Sequence, residues 1–266
     1  MVIHDLAFEH YDDHVPPLAR KYYRYFTPRF ALKATRIATV SEFTRQDVMQ
    51  LYHIPGEKID VLWNGSNEMF RPLSPDEKQK VKLDFTGGKD YFIYAGAIQP
   101  RKNIINLFLA YDEFKKKTSS QIKLVVAGRN WNYKEAMKVY ASLKHRQDVI
   151  FPGHLLRSDL SRLMGGALAM VYVSLFEGFG IPIVEAMNCD VPVITSNVSS
   201  MPEVAGDAAL LVDPNSSSEI ANGMELIFQN ETLRNDLIER GKIQRQKFTW
   251  QNTADCLWKC MMKAME

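Results

Sequence analysis

The sequence has few cysteines and no long hydrophobic run. Its three cysteines, Cys189, Cys256 and Cys260, match no metal-binding spacing, and their odd number indicates a reducing interior. The longest apolar run, from Ala167 to Val173, is far too short to cross a bilayer. We therefore expect a cytoplasmic protein, for which any contact with a membrane is peripheral and at its inner face.

The sequence also lacks a charge excess, fixed-period repeats and low-complexity tracts. Its net charge is +2, and its 46% hydrophobic and 24% charged residues are ordinary for a globular protein. The basic run Lys115, Lys116 and Lys117 is typical of a solvated helix end. The composition therefore gives no reason to expect a nucleic-acid partner, and partners have to be inferred from sites.

The first part of the chain contains strands and helices that lead to a candidate linker. The segment VIHDLAF predicts a buried strand ending in a polar loop, and residues 18–33 predict an aromatic and basic helix. RIATV and KIDVLW predict strands, and Ser41 can cap a helix over SEFTRQDVMQLY. The glycine, serines and prolines of NGSNEMFRPLSPDEKQK then predict a linker.

The linker divides the chain. We place a domain boundary near Arg71 to Pro75, where turn-forming residues are concentrated. This boundary predicts one domain at residues 1–72, a second at residues 73–248 and a C-terminal helix at residues 249–266.

Beyond the boundary, short β-branched strands alternate with helical patterns. The strands are predicted in YFIYAGA, IKLVVAG, VIFPG, AMVYVS, VPVITS and ALLVD, and three amphipathic helices follow them. This alternation predicts a doubly wound parallel sheet of the α/β class. Ligands bind at the carboxyl ends of such strands, so the loops after Ala95, Ala127, Pro152 and Val173 are expected to share one rim.

The segment SLFEGFGIPIVEAM lies on that rim and places two carboxylates around the start of a helix. Glu177 is expected in the loop, and Glu185 about one turn inside a helix that begins near Ile181. Gly178 and Gly180 lack side chains, so backbone N–H groups and the positive end of the helix can approach an anion closely. The segment therefore offers donors for a phosphate and acceptors for hydroxyls, as a nucleotide sugar requires.

Three other interpretations of this segment are open. Glu177 can be a solvated loop acid and Glu185 a first-turn acid stabilised by the helix dipole. Gly178, Gly180 and Ile183 give a weak dinucleotide fingerprint, with a bulky third position and no acid after the next strand. A paired-acid glycosidase would require the two carboxyls to flank a sugar bond.

Longer motifs resemble one enzyme family over nearly the whole chain. SLFEGFGIPIVEAMNCDVPVITSNVSSMPEVAGDAALLVDP resembles the retaining glycosyltransferases of family four, often called group 1. HDLAF, GAIQPRKNI, VAGRNW and VIFPGHL are similar to motifs of that family and follow in its order. The resemblance implies the GT-B fold, here with a doubly wound Rossmann-like C-terminal domain and a partial N-terminal Rossmann-like domain.

The resemblance also implies roles for the acids and glycines. Glu185 matches the acid that holds the ribose hydroxyls of the nucleotide. Glu177 matches the acid beside the donor sugar, close to the reacting carbon. The backbone of Gly178, Phe179 and Gly180 would meet the sugar and the diphosphate.

Two basic residues are expected to balance the charge of the donor. Arg101 and Lys102, after the strand that leads to Gly96, would neutralise diphosphate charge that grows as the bond to the sugar breaks. Many relatives carry an arginine directly after this glycine, where the chain has Ala97, and Arg101 is expected to compensate. Each of the two can alternatively be a solvated cap. No metal is then required, and no cofactor is expected because the nucleotide sugar is a substrate.

The nucleobase is expected near FPGHLL. Gly153 allows close approach, and His154 and the backbone around Leu155 and Leu156 can line the base site. His154 can alternatively be a loop histidine with a satisfied partner.

The first domain is expected to contribute His4 and Asp5, which match the family's strand-end HD and reach across the cleft to the donor sugar. His4 can alternatively be a buried histidine with a backbone partner. A divalent metal site is a further alternative for this region, although the spacing fits no strong ligand signature. Its possible ligands are His4, Asp5, His10, Asp12, Asp13 and His14.

The resemblance therefore implies a retaining glycosyltransferase without an assumed protein nucleophile. The donor is expected to be GDP-mannose, because HDLAF and PRKN resemble mannosyltransferase-like members, with a UDP-sugar as the alternative. The acceptor is expected to be a glycan or a lipid-linked glycan in surface polysaccharide synthesis. Only the last part of the first domain is expected in residues 1–70, so we expect donor binding with weak transfer. A non-catalytic nucleotide-sugar-binding module, half of a split enzyme and a GT-B epimerase are the alternatives.

Overall fold

The computed structural model describes residues 1–12, 15–128, 133–153 and 155–265 of the chain. These residues form two parallel β-sheets with helices packed against them. Within the described part of the chain, no helix is both long enough and apolar enough to cross a membrane.

The first sheet is small and lies at the start of the chain. Its three strands are parallel, with β2 in the middle of the order β1-β2-β3. The strands are β1 (Val2–Ile3), β2 (Ile37–Thr39) and β3 (Ile59–Val61).

The second sheet has six parallel strands in the order β6-β5-β4-β7-β8-β9. From β4 the chain winds outward to β6 on one side and then returns to build β7, β8 and β9 on the other, which confirms the predicted doubly wound arrangement. Its strands are β4 (Tyr91–Ala95), β5 (Lys123–Ala127), β6 (Val149–Ile150), β7 (Ala169–Tyr172), β8 (Val193–Ser196) and β9 (Ala209–Val212).

The helices connect these strands and cover the sheets. They are α1 (Ala7–His10), α2 (Pro17–Lys33), α3 (Glu42–Tyr52), α4 (Pro75–Thr86), α5 (Ile104–Thr118), α6 (Lys134–Ser142), α7 (Arg157–Gly166), α8 (Ile181–Asn188), α9 (Met201–Ala205), α10 (Ser217–Gln229), α11 (Glu231–Gln244) and α12 (Trp250–Met265).

Two local predictions were only partly right. The predicted linker contains the beginning of α4, because Ser74 and Glu77 form a capping box and Pro75 occupies the first helical turn. The segment VIHDLAF forms a strand only at Val2–Ile3, and its last residues begin α1 instead. The division into domains at these boundaries stays a prediction.

The core of the second sheet contains several tyrosines with buried rings. Tyr91 donates a hydrogen bond to the backbone oxygen of Leu163 at 2.7 Å, and Tyr111 donates one to that of Ile122 at 2.7 Å. Burial of a tyrosine is favourable when its hydroxyl keeps such a partner. These bonds tie the strands to the connections around them.

The last helix returns to the first sheet. Cys260 of α12 is buried with Ala38 of β2 and Leu62 just after β3, and Lys263 contacts Asp60 at 2.5 Å. The C-terminal helix, predicted at residues 249–266, is therefore packed on the first sheet, which is formed by the beginning of the chain.

Candidate functional site

The candidate site lies where the winding of the second sheet reverses. β4 and β7 are neighbours there, and their continuing connections leave the sheet on opposite sides. This arrangement opens a crevice at the carboxyl ends of the two strands. Gly96 follows β4, and the loop 173–180 follows β7, so both predicted segments border the crevice.

The loop after β7 is shaped by glycine. Gly180 has φ of +102° and precedes the first turn of α8, where Pro182 needs no N–H partner. A side-chain carbon on Gly178 would lie 1.9 Å from the backbone oxygen of His4. Only glycine therefore allows this loop to lie directly against the end of β1.

Side chains from α3 hold the same loop. Ser41 and Thr44 donate hydrogen bonds to the backbone oxygen of Gly178 at 2.6 and 3.2 Å. From α9, the carboxylate of Glu203 accepts hydrogen bonds from the backbone N–H groups of Glu42 and Phe43 at 2.8 and 3.1 Å. The first sheet and the loop are therefore joined by buried and half-buried polar contacts.

Glu177 lies at the centre of a buried cluster of charges. Its Oε2 accepts a hydrogen bond from Arg101 at 3.0 Å, and its Oε1 accepts bonds from Lys102 and, at 2.8 Å, from the Tyr172 hydroxyl. Lys102 also donates to the Tyr172 hydroxyl at 2.8 Å. The structure thus brings together three residues predicted for the site, and Glu177 is not a solvated loop acid.

The cluster is electrostatically self-consistent. Burial alone would raise the pKa of Glu177, but the charges of Lys102 and Arg101 outweigh burial and hold the pKa below its usual value. Glu177 is therefore ionised at neutral pH and screens the two cations from each other.

Glu185 has a different environment. It is half-buried in α8, and no described group donates a hydrogen bond to its carboxylate. Burial raises its pKa to about 7, and the positive charge of Arg157 only partly opposes this shift. A half-buried acid without a partner is a candidate for binding a hydroxyl-bearing ligand.

Two adjoining cavities follow the rim. The first has a volume of about 320 Å³ and the second about 250 Å³, and Gly96 lines both. The first is lined by Gly96, Ala97, Ala127, Gly128, Gly153, Leu155, Leu156, Arg157 and Leu160. The second lies between the end of β1 and the loop after β7, and Asp5 and Asn64 line it together with most predicted site residues. Those predicted residues are His4, Gly96, Lys102, Glu177, Gly178, Phe179 and Gly180.

Three predicted residues stand apart from this grouping. Arg101 joins the cluster through Glu177, whereas Glu185 lines neither cavity. His154 lies outside the described residues. The roles assigned to all of these side chains stay predictions.

Tyr172 and Arg157 also belong to the site and were not predicted from the sequence. Tyr172 ends β7 at the rim, but its hydroxyl could not be assigned to the site without the tertiary structure. Arg157 is the first residue of α7, where a positive charge is opposed by the helix dipole. A basic residue at such a position was a signal that an anion belongs nearby.

The alternative metal site is only partly covered by the structure. His10 has its Nε2 atom 2.8 Å from Asp47 Oδ1, so this histidine already has a carboxylate partner. Asp13 and His14 lie outside the described residues. Among the residues that are described, no group of three or more histidine, cysteine, aspartate or glutamate side chains could hold a metal ion.

Comparison with known families gives two matches that divide the chain. The family described as Glycosyl transferases group 1 matches residues 75–244. The family described as Glycosyltransferase Family 4 matches residues 1–68.

Two similar curated proteins have names that assign them to O-antigen synthesis. O-antigen chain mannosyltransferase B of Escherichia coli is 35% identical over 224 residues, which are 82% of this chain and 58% of that protein. O-antigen chain mannosyltransferase RfbU of Salmonella typhimurium is 28% identical over 233 residues, which are 86% of this chain and 60% of that protein. The chain thus spans about three fifths of the length of these relatives.

Solved structures show the same fold. Sucrose-phosphate synthase from Thermosynechococcus elongatus matches with a TM-score of 0.82 at 19% identity, over 99% of this chain and 67% of that chain. HepE of Anabaena in complex with UDP-glucose matches with a TM-score of 0.79 at 20% identity, over 98% of this chain and 70% of that chain. At these identities the likeness is one of fold, and it confirms the predicted α/β architecture.

Proposed function

The chain belongs to the group 1 glycosyltransferases and has a fold of the GT-B type, and on this premise we propose that it binds a nucleotide diphosphate sugar. We further propose transfer of the sugar, with retention of its anomeric configuration, to a glycan or lipid-linked acceptor in surface polysaccharide synthesis. GDP-mannose is the favoured donor.

The observation that carries the proposal is the buried charge cluster beside the second cavity. Arg101 and Lys102 supply two positive charges, and Glu177 supplies one negative charge between them. A diphosphate placed against this cluster would meet two cations whose side chains are only 13% and 11% exposed. Such preorganised charge stabilises a leaving group more strongly than water does.

The neighbouring groups suggest how the rest of the donor is held. The first cavity, between Gly96 and the start of α7, has room for the nucleoside, with Gly153 and Leu155 next to the base. Backbone N–H groups of Gly178, Phe179 and Gly180 and the positive end of α8 would approach the diphosphate and the sugar. Glu185 would accept hydrogen bonds from the ribose hydroxyls, and Glu177 and His4 would border the sugar.

The transfer step follows from these positions. The bond between the anomeric carbon and the diphosphate oxygen breaks, and its electron pair goes to the diphosphate beside Lys102 and Arg101. The acceptor hydroxyl attacks the anomeric carbon on the same face, and its proton passes to the departing phosphate oxygen. This step requires no nucleophile from the protein and no cofactor.

The names of the relatives support the choice of donor. Two of them are O-antigen mannosyltransferases, which favours a mannose donor, and HepE with its UDP-glucose makes a UDP-sugar the alternative. Calorimetry with GDP, UDP, GDP-mannose and UDP-glucose distinguishes these donors. We expect the GDP compounds to bind more tightly. Tighter binding of the UDP compounds would instead identify a UDP-sugar as the donor.

Two variants test the assigned roles of the acids. Glu185→Ala should weaken binding of the nucleoside diphosphate by about 1–3 kcal/mol, because the ribose loses its hydrogen-bond acceptor. Glu177→Ala should mainly weaken the additional affinity that the sugar contributes. Calorimetry with the nucleotide and the nucleotide sugar measures both effects, and equal, negligible effects on the two ligands would refute the assignments.

Removal of metal ions tests the electrostatic part of the mechanism. Because Arg101 and Lys102 supply the positive charge, we expect EDTA to leave donor binding and any transfer unchanged. If EDTA abolished donor binding or transfer and a divalent ion restored it, a metal ion would instead take part in the mechanism.

Donor binding without transfer is the second candidate function. The observation that favours it is the small first sheet, whose strands have two or three residues and in which β1 is an edge strand. Incubation with radiolabelled donor and acceptor extract separates the candidates, since only a transferase labels the acceptor.

A further inference from the structure

The four largest fully buried side chains are tyrosines, and one of them has hydrogen-bond partners of a different kind. Three donate to backbone oxygens at distances between 2.7 and 2.8 Å, and they are Tyr91, Tyr94 and Tyr111. The Tyr172 hydroxyl instead bonds to two charged side chains, Glu177 and Lys102, each at 2.8 Å. A backbone partner is sufficient to bury a tyrosine, so the partners of Tyr172 indicate more than core packing.

The directions of these bonds follow from the chemistry of the three groups. A lysine ammonium has three N–H donors and no acceptor, and an ionised carboxylate only accepts. The Tyr172 hydroxyl therefore accepts a hydrogen bond from Lys102 and gives its one proton to Oε1 of Glu177. The same oxygen also accepts a bond from Lys102. The three groups thus form a triangle in which each one contacts the other two.

The triangle uses two of the three N–H bonds of Lys102. Among the described residues, the ammonium has no third acceptor. Because two of its bonds are held, the tetrahedral ammonium cannot rotate freely, and the direction of the third N–H is fixed. Lys102, Tyr172 and Glu177 all line the second cavity, so the third N–H is the one left for an oxygen atom of a ligand.

A lysine needs such positioning more than an arginine does. Its ammonium is a point charge at the end of a flexible stem, whereas arginine presents a planar and rigid set of donors. The Tyr172 ring is held in place, since it stacks on the ring of Tyr94 with 6.3 Å between their centres. The backbone oxygen of Tyr172 also accepts a hydrogen bond from the Thr195 hydroxyl at 2.7 Å. A rigid aromatic side chain thus fixes the end of the flexible Lys102 side chain.

We propose that Tyr172 is a positioning residue for the donor, whose hydroxyl orients the ammonium of Lys102 for the diphosphate and Oε1 of Glu177 for the sugar. This inference rests on the proposed function, which supplies the two ligand groups. Tyr172 acts through these two side chains. When a diphosphate oxygen draws the ammonium towards itself, the bond from the Tyr172 hydroxyl to Glu177 remains, so the carboxylate keeps a donor and its orientation.

The first test needs no ligand and uses Tyr172→Phe, which removes the hydroxyl and keeps the ring. Tyr91→Phe is the matched control, because Tyr91 lies at the opposite end of the same sheet and also loses a bond from a buried hydroxyl. NMR of the lysine ammonium groups follows Lys102, whose signal is identified by its absence in Lys102→Arg. We expect slow proton exchange with water in the parent and the control, and exchange at least about tenfold faster in Tyr172→Phe.

The second test is calorimetry with GDP and GDP-mannose, and with UDP and UDP-glucose as the alternative pair. Tyr172→Phe should weaken binding of the nucleoside diphosphate about tenfold, because Lys102 loses its orientation. It should weaken binding of the nucleotide sugar about thirtyfold, because Glu177 loses its orientation as well. Tyr91→Phe should bind every ligand as the parent does, although its melting temperature should fall as much as that of Tyr172→Phe.

The two tests distinguish failure of this inference from failure of the proposed function. Rapid exchange of Lys102 in the parent chain, or the same exchange in Tyr172→Phe as in the parent, would overturn the positioning role. So would a Tyr172→Phe variant that binds both classes of ligand as the parent does. A parent chain that binds neither nucleoside diphosphates nor nucleotide sugars would overturn the proposed function instead, and the NMR result alone would then decide whether Tyr172 orients Lys102.

Discussion

At the scale of single residues, the two glutamates of the motif have opposite electrostatic environments. Glu177 is buried between Lys102 and Arg101, and their charges hold its pKa below its usual value in spite of burial. Glu185 is half-buried with no described hydrogen-bond donor, and burial raises its pKa to about 7. One acid is thus locked as an anion, whereas the other can change its charge near neutral pH.

The Glu177→Gln variant should be strongly destabilised. Removing one partner of a buried ion pair leaves uncompensated charge, which typically costs about 3–5 kcal/mol, and here two cations lose their counterion. Urea unfolding with and without a nucleoside diphosphate measures the cost. We expect the ligand to stabilise the variant more than the parent, because the diphosphate replaces part of the missing negative charge.

The control for this variant is Glu113→Gln, which removes a partly exposed ion pair with Lys117 on α5. It should change the free energy of unfolding by less than about 1 kcal/mol. Equal losses in the two variants would show that the cluster around Glu177 has no special electrostatic role.

The Glu185→Gln variant should alter the dependence of stability on pH. The unfolded chain releases this proton near pH ~4.3, whereas the folded chain keeps it up to about pH 7. Stability therefore falls as the pH rises across that interval, because the unfolded chain has released the proton and the folded chain has not, and the full loss is reached above pH 7. The neutral amide cannot ionise, so the variant should melt at a higher temperature than the parent at about pH 8 and at nearly the same temperature at about pH 4.

Nucleotide binding gives an independent measure of the same group. An ionised carboxylate accepts hydrogen bonds from ribose more strongly than a protonated one. Calorimetry should therefore show nucleoside diphosphate affinity rising through pH 7 in the parent and a flatter profile in Glu185→Gln. Identical pH profiles would contradict the assignment of Glu185 to the ribose.

At the scale of elements, the start of α3 has two functions in the fold. Ser41 accepts a hydrogen bond from the backbone N–H of Thr44, which caps the helix as the sequence predicted. Its hydroxyl also donates to the backbone oxygen of Gly178 in the loop after β7. The Ser41 side chain thus caps the start of α3 and also holds the loop of the candidate site.

Ser41→Ala should therefore cost more stability than loss of an ordinary cap. Ser216 caps α10 through the backbone N–H of Glu219, and Ser216→Ala should cost about 1 kcal/mol. Ser41→Ala should cost about 1 kcal/mol more than that, since the buried backbone oxygen of Gly178 loses a donor. Urea unfolding of the two variants measures the difference, and equal costs would argue against a role for Ser41 at the loop.

Elements were predictable where local chemistry decided them. The glycines and Pro182 indicated that α8 begins near Ile181, and it begins at that residue. The beginning of α4 falls in the predicted linker, because serine and proline are typical of turns, although Ser74 and Glu77 form a capping box. The short helix α9 was not predicted, because its five residues are too few to show a helical period.

At the scale of the whole molecule, the site depends on contacts between residues distant in the sequence, which the sequence alone does not predict. Arg101 and Glu177 are 76 positions apart, and we expected Arg101 at the diphosphate and Glu177 beside the donor sugar, without a contact between them. The direct packing of Gly178 on His4 needed the relative position of the two sheets. The parallel, doubly wound arrangement of β4 to β9 was predictable, since alternating strands and helices permit few arrangements.

The loop that would receive the donor is also the surface on which the first sheet rests, through the backbone oxygen of Gly178. A ligand that shifts this loop must change how strongly the first sheet, with its helices, associates with the second sheet. By thermodynamic reciprocity, that association must change ligand affinity by the same factor. Separation of the two sheets and binding of a ligand in the crevice are therefore linked by a single coupling free energy. Substitutions at the contact between the first sheet and this loop, although they lie away from the ligand, should therefore change ligand affinity.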